Sequence, residues 1–345
     1  MQILMITAPS VSLLEPFAGG TEAFVVRLAN ALVKKGHRID VLCHSASEDN
    51  LFNTIKLEES PYRLCDAVTS EEDAQQLYQA AQLGLADLSR YDVVHFHSYF
   101  TAMYDFSVFQ ERQNIITLHT PPSPRLTALH QLHSARSDDI YVSVSSRLAT
   151  EWQPLINNEI HVIHNGITLP DDDVLTQRKN QLLWVGRICE DKDVTTAIEC
   201  ARAIDMRLII AGPIINQDYF DHRVAPQLSD TIQYAGHLEQ GELSSLYLTS
   251  KALLNTAKWN EPFGLTTLEA LSYGTPVIGF TTSLPPELRI PPYTQTLPSP
   301  DIAHLRNAIE TVDTLDPLSC RKVASLFSLD ATVTEYEKRY LDVIG

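Results

Sequence analysis

Basic residues are scarce in this 345-residue chain: 26 Lys and Arg stand against 43 Asp and Glu, a formal net charge of −17. Such a surface repels phosphate backbones and anionic lipid, so no nucleic-acid partner is expected. Any phosphate site must be a local cluster of cations and backbone N–H groups. The five cysteines (Cys43, Cys65, Cys189, Cys200, Cys320) lie far apart and form no C-x-x-C. That excludes a disulfide framework and a zinc site as first readings and leaves buried reduced thiols. No run approaches the ~20 apolar residues of a membrane span, and Met1 to Pro9 has no basic n-region. Fixed-period repeats and low-complexity tracts are missing too. The expectation is a soluble cytoplasmic protein with at most peripheral contact to the inner face of a membrane.

Hydrophobic residues make up 44% of the chain, and its length suits two domains of roughly 150–180 residues each. Gln2 to Thr7 reads as a buried strand, Gly19-Gly20 as a loop and Thr21 as a helix N-cap. Phe24 to Val33 follows as a helix closed by Gly36, then Arg38 to Leu42 as a second strand. Strand, glycine loop, helix, strand opens a doubly wound α/β domain. Apolar runs at Tyr91–Phe96, Ile115–Leu118, Ile140–Val144 and Ile160–Ile163 continue it, alternating with helical patterns such as Glu71–Leu88. The polar stretch Leu169-Pro-Asp-Asp-Asp-Val174 breaks the pattern. Strands restart at Leu182–Val185, Arg207–Ala211, Ile232–Tyr234, Ala252–Asn255 and Pro276–Ile278. The expected fold is α/β, two Rossmann-like domains facing each other across a cleft. The first spans 1–168 and the second 169–327, and a C-terminal helix at about 328–345 packs back on the first.

The densest chemistry lies between Asn260 and Gly279, NEPFGLTTLEALSYGTPVIG. Pro262 and Gly264 hold an irregular loop, and a helix starts near Leu265. Free N–H groups at that N-terminus, with the helix dipole and the Thr266 hydroxyl, make an anion site. Glu269, about one turn in, can accept from a vicinal diol, and Glu261 sits on the far side of the anion. Two carboxylates bracketing an anion match the layout of a nucleotide sugar. A capped helix with solvent-facing glutamates is the competing reading of this segment alone. Trp184-Val-Gly-Arg187 ends a strand, with Lys192 soon after. Cations past the C-terminal end of a strand lie where an α/β sheet binds ligand. Arg grips a diphosphate bidentately and Lys acts as a point charge.

Taken together, these residues resemble the retaining family 4 glycosyltransferases of GT-B fold. The resemblance rests on Glu261-x7-Glu269 within EPFGLTTLEALSYGTPVI, Val185-Gly-Arg187 with Lys192, His164-Asn-Gly166 and Gly19-Gly20. Val94-His-Phe-His97 and the terminal Phe327-Ser-Leu and Tyr336-Glu-Lys-Arg-Tyr340 agree, so it covers nearly the whole chain. It implies a hexosyltransferase acting in polysaccharide, glycolipid or other glycoconjugate synthesis, with UDP-glucose or a similar UDP-hexose as donor and a hydroxyl acceptor of unknown identity. It also implies a front-face displacement in which the leaving phosphate takes the acceptor's proton, without metal or cofactor. Gly19, Gly20, Leu265 and Thr266 would contact phosphate, and Arg187 and Lys192 would neutralise the diphosphate beside Gly186. Glu261, with the N–H groups of Phe263 and Gly264 nearby, would hold the sugar, and Glu269 the ribose. Gly212, Gly236, His237 and Leu238 would hold the base, and His97 would lie beside the reacting centre. One departure stands out: Asp193 follows Lys192 where the family often has Gly, with Glu190 and Asp191 upstream.

Weaker signals have blander readings. Asp171-Asp172-Asp173 is a linker before it is a metal motif, and His95, His97 and His119 are hydrogen-bonding groups before they are zinc ligands. Arg125, His130, His133 and Arg136 read as a solvated basic patch or an acceptor surface, and Ala331–Ile344 as an amphipathic helix. A nicotinamide dehydrogenase is disfavoured because G-x-G-x-x-G is missing after the first strand. A pyridoxal-phosphate phosphorylase is disfavoured because no matching lysine site is visible. A non-catalytic nucleotide-sugar-binding protein remains as the alternative.

Overall fold

The computed structural model describes residues 1–7, 11–57, 78–83, 86–99, 101–105, 112–135, 138–171, 178–298 and 302–345. Cys65, Arg136, Asp172, Asp173 and half of the expected Glu71–Leu88 helix lie outside them. The chain divides into two compact units. One comprises Met1–Leu14, Thr21–His164 and Leu329–Gly345, the other Glu15–Gly20 and Asn165–Ser328. No helix among the described residues is long and apolar enough to cross a membrane.

In the first unit seven parallel strands run in the order Asn53–Ile55, Arg38–Leu42, Gln2–Ile6, Val93–Phe96, Ile115–Leu118, Ile140–Ser143, Ile160–Val162. Gln2–Ile6 is central because nearly every side chain in it is apolar, so it can be covered on both faces. The helix Gly20–Lys34 buries Phe24, Val25, Leu28, Ala29 and Leu32, an i, i+4 stripe that lays it on a sheet. Strand order reverses beside Gln2–Ile6, so the crevice of a doubly wound sheet opens where that strand and Val93–Phe96 end. The last helix, Leu329–Ile344, belongs to this unit and buries Leu329, Val333, Tyr336 and Tyr340 in it. The expected basic patch is corrected at two positions. His130 and His133 are each 2% exposed, the first walled in by Tyr104, Tyr141 and Trp152 and the second set against Tyr104 with its Nδ1 3.2 Å from Asp139 Oδ2, so they belong to the core.

The second unit has six parallel strands in the order Ile232–Gly236, Arg207–Ala211, Gln181–Val185, Ala252–Asn255, Val277–Phe280, Thr294–Leu297. Its core joins Leu182 and Trp184 to Val194, Ile198, Leu208, Ile210 and Leu254. The order reverses between Gln181–Val185 and Ala252–Asn255. Gly186, Arg187 and Thr256 therefore leave the sheet at its own switch point.

Candidate active site

Three glycines close the ends of adjacent strands in the second unit. The Gly186 N–H donates to Ala211 O at 3.1 Å, and the Gly212 N–H donates to Gly236 O at 2.8 Å. Gly212 has φ +139°, and a Cβ there would lie 1.9 Å from Gly186 O. Only a residue without Cβ lets the two backbones meet this closely. Replacing Gly212 by Ala is expected to lower the stability of this unit by about 4 kcal/mol. A denaturant-midpoint shift worth less than about 1 kcal/mol would mean that the strand ends spread instead.

Arg187 follows with an exposed side chain. Lys192 is held: its Nζ donates to Glu261 Oε1 at 2.7 Å and Oε2 at 2.6 Å, both side chains being about 15% exposed. The Trp259 indole N–H donates to Glu261 Oε2 at 2.6 Å, and the Lys192 ammonium lies 4.9 Å from the Trp259 ring centroid. Lys192 and Glu261 leave neighbouring strands, and the Glu261 N–H, donating to Thr282 O at 3.1 Å, ties the loop down.

The departure at Asp193 has a backbone reason. Asp193 has φ +50° and caps the helix Val194–Ala203 by accepting from the Thr196 N–H at 3.4 Å. Asp tolerates the left-handed region better than most residues and can cap as well, so it does here what glycine would do for φ alone. The nearby acids are occupied elsewhere: Asp193 with Lys258 at 2.9 Å and Glu190 with Asn216 at 3.1 Å. Neither of these two competes for Lys192.

The helix starts at Leu265 and runs to Ser272, with Gly264 at φ +88° before it. In that conformation Gly264 turns the chain so that the first N–H groups, those of Leu265 and Thr266, face away from the helix without intrahelical acceptors. Phe263 is buried against Phe327, which anchors the loop. Glu269 accepts from the Tyr247 hydroxyl at 3.2 Å. Gly19 and Gly20 belong to the segment that groups with this unit, and a Cβ on Gly20 would come 3.3 Å from Leu265 Cδ1. His237 and Leu238 follow Gly236, and the His237 ring accounts for Phe17 O at 3.0 Å. The structure thus brings Lys192, Trp259 and Glu261 into direct contact and aligns the glycines. Trp259 was not foreseen, although its place two residues before Glu261 was a signal.

His97 belongs to the first unit, immediately after Val93–Phe96, where its N–H donates to Ile6 O at 2.9 Å. It is 1% exposed, its Nδ1 shares a 3.0 Å hydrogen bond with His119 Nε2, and its own Nε2 is buried without a partner among the described residues. His95, whose ring centroid lies 3.9 Å from that of His97, bonds Tyr340 at 2.9 Å and Thr117 at 2.8 Å. Burial, then the neighbouring imidazoles, holds the pKa of His97 well below the usual histidine range. Among the described residues no group of three or more His, Cys, Asp or Glu is arranged to hold a metal ion.

A family model for Glycosyltransferase Family 4 matches residues 18–169, and one for glycosyl transferases group 1 matches 168–319. The chain belongs to the family 4 glycosyltransferases. An uncharacterized glycosyltransferase of Methanocaldococcus jannaschii is 24% identical over 304 residues, 75% of this chain and 76% of its own length. Among solved structures, sucrose-phosphate synthase from Thermosynechococcus elongatus superposes with a TM-score of 0.74 at 18% identity, covering 99% of both chains. Anabaena HepE in complex with UDP-glucose gives a TM-score of 0.74 at 14% identity over 99% of this chain and 100% of its own. This family 4 glycosyltransferase has two Rossmann-like, parallel-sheet domains of the GT-B class.

Proposed function

We propose that this glycosyltransferase moves a hexose from a UDP-sugar, UDP-glucose first among candidates, to an acceptor hydroxyl with retention of anomeric configuration and without a metal. The observation that carries the reading is the Lys192–Glu261 pair beside an exposed Arg187 at the switch point of the second sheet. UDP-glucose occupies the HepE structure of the same fold. Lys192 has three N–H donors, so it can keep Glu261 and still reach a diphosphate oxygen. The pair is electrically neutral, and Arg187 is therefore the net cation that draws the nucleotide in. As the glycosidic bond to phosphate breaks, Arg187, Lys192 and the N–H groups of Leu265 and Thr266 stabilise the charge on the leaving diphosphate. The acceptor's proton passes to a phosphate oxygen on the same face. Glu261 holds the sugar's hydroxyls and Glu269 the ribose diol, while the strand-end glycines admit the base to main-chain contacts. The role of His97 beside the reacting centre rests on the family resemblance alone.

A thermal-shift panel of UDP, ADP and GDP, followed by hydrolysis of the matching glucose donors, tests this. A shift with UDP and slow release of glucose of unchanged anomeric configuration is expected, unaffected by EDTA. UDP binding with no hydrolysis or transfer for any donor would favour a non-catalytic nucleotide-sugar-binding protein. In Arg187→Ala the Kd for UDP is expected to rise about 30-fold, the worth of one charge-assisted hydrogen-bond pair. Calorimetric titration checks it, and an unchanged Kd would remove Arg187 from the site.

A further inference from the structure

Trp259 has no part in the reaction described above, yet it is built into the group that Glu261 forms with Lys192. A carboxylate has about four lone-pair sites on its two oxygens. Lys192 Nζ takes one on Oε1 at 2.7 Å and one on Oε2 at 2.6 Å, and the Trp259 indole N–H takes a second on Oε2 at 2.6 Å. Among the described residues Oε2 is thereby full, and Oε1 keeps one site open on a side chain still 14% exposed. The third donor adds nothing to charge balance, because the ammonium already neutralises the carboxylate. What it adds is direction. An ammonium on a flexible stem is a rotatable point charge that serves either oxygen, and the terminal torsion of a glutamate is broad. An indole is rigid and turns about only two side-chain bonds, so its one N–H marks out one oxygen. The same ring faces the Lys192 ammonium 4.9 Å from its centroid, a cation–π distance.

The loop that carries Trp259 is tied down by other bonds. The Lys258 N–H donates to Asp191 O at 2.9 Å and its Nζ reaches Asp193 Oδ2 at 2.9 Å, while the Thr282 hydroxyl donates to Ala257 O at 2.8 Å. The indole N–H is therefore not what keeps the backbone in place. Resting on the glycosyl-transfer reading above, we propose that Trp259 is a positioning residue for the donor sugar. It locks the Glu261 carboxylate so that Oε1 alone accepts a sugar hydroxyl, one hydroxyl from one direction.

Trp259→Phe keeps a ring for the Lys192 ammonium and deletes the N–H. Trp259→His restores an N–H, since its Nε2 can take the place of the indole nitrogen. Both are matched to wild type by thermal midpoint, then compared by single-turnover hydrolysis of UDP-glucose and by calorimetry with UDP. In Trp259→Phe the rate constant is expected to fall about tenfold, the worth of one hydrogen bond to a charged group, while the Kd for UDP stays within about twofold. Trp259→His should return to within about threefold of wild type. Because Trp259 acts through Glu261, the Phe change should cost less than about twofold in a Glu261→Ala background. A wild-type rate in Trp259→Phe overturns the proposal, as does an undiminished loss in the Glu261→Ala background. Parallel loss of UDP affinity that Trp259→His does not relieve overturns it too, since the ring then only supports the loop. Wild-type protein that never hydrolyses UDP-glucose, or Glu261→Ala that hydrolyses it at full rate, removes the donor reading and this assignment with it.

Discussion

Replacing Glu261 by alanine is expected to lower kcat by about three powers of ten, roughly 4 kcal/mol of transition-state stabilisation. Glu261 is the hub of the contacts in the second unit, taking both Lys192 bonds and the Trp259 N–H on one carboxylate. Without it the proposed grip on the sugar is gone, and the Lys192 ammonium keeps only the face of the Trp259 ring. UDP affinity should hold or rise, because a cation neutralised in the parent becomes available to the diphosphate. That split between rate and binding distinguishes loss of a sugar ligand from collapse of the loop. Single-turnover rates with UDP-glucose and calorimetry with UDP separate them. A kcat within about threefold of wild type would sink the assignment, and parallel loss of UDP binding would point to structural damage.

Mild acid should unravel the first unit before the second. His95, His97, His119 and His130 are all buried there. Burial first of all pushes their pKa values down, to about 3 for His119 and His130 and well below the usual range for His95 and His97. In the unfolded chain each titrates near about 6.5. Between those values the unfolded chain binds protons that the folded unit refuses. The stability held by neutral burial is therefore complete above about pH 6.5 and drains as the pH falls, by up to ~1.4 kcal/mol per pH unit for each histidine. At Asp193 and Glu337 burial raises the pKa, but hydrogen bonds outweigh it and hold the value low. Those groups lose their contribution only below about pH 4. In the second unit His222, His237 and His304 are exposed. Hydrogen-exchange protection at Val93–Phe96 and Ile115–Leu118 should accordingly fall by several kcal/mol between about pH 7.5 and about pH 5. Protection at Gln181–Val185 and Arg207–Ala211 should change little. Equal loss in both units, or none in the first, would contradict the assignment.

The central strands were legible because a parallel strand covered on both faces must be an apolar run. Arg38–Leu42, Ile115–Leu118, Arg207–Ala211 and Ala252–Asn255 stand where the sequence put them. Two edge strands, Asn53–Ile55 and Thr294–Leu297, escaped because they expose polar side chains and are short. The helix start at Leu265 was legible from Pro262 and Gly264 just before it. The partnership of Lys192 with Glu261 was not, since it joins residues 69 apart in sequence and depends on which strands lie side by side. The histidines misled in another way. His130 and His133 look basic as letters, yet both are buried, His130 among aromatic rings and His133 against Tyr104 and Asp139, and only the packed structure shows that.

Tyr336 and Tyr340 enter the first unit from the far end of the chain, and Tyr340 bonds a histidine 245 residues away. Domains usually complete in the order in which they are translated. Here the order is inverted: nearly all of the second unit, Asn165–Ser328, is synthesised before Leu329–Ile344 emerges. Until then the first sheet waits on the ribosome with His95 and Thr117 lacking their tyrosine partners. A chain cut after Ser328 would leave it in that state permanently, as a candidate for chaperones and proteases.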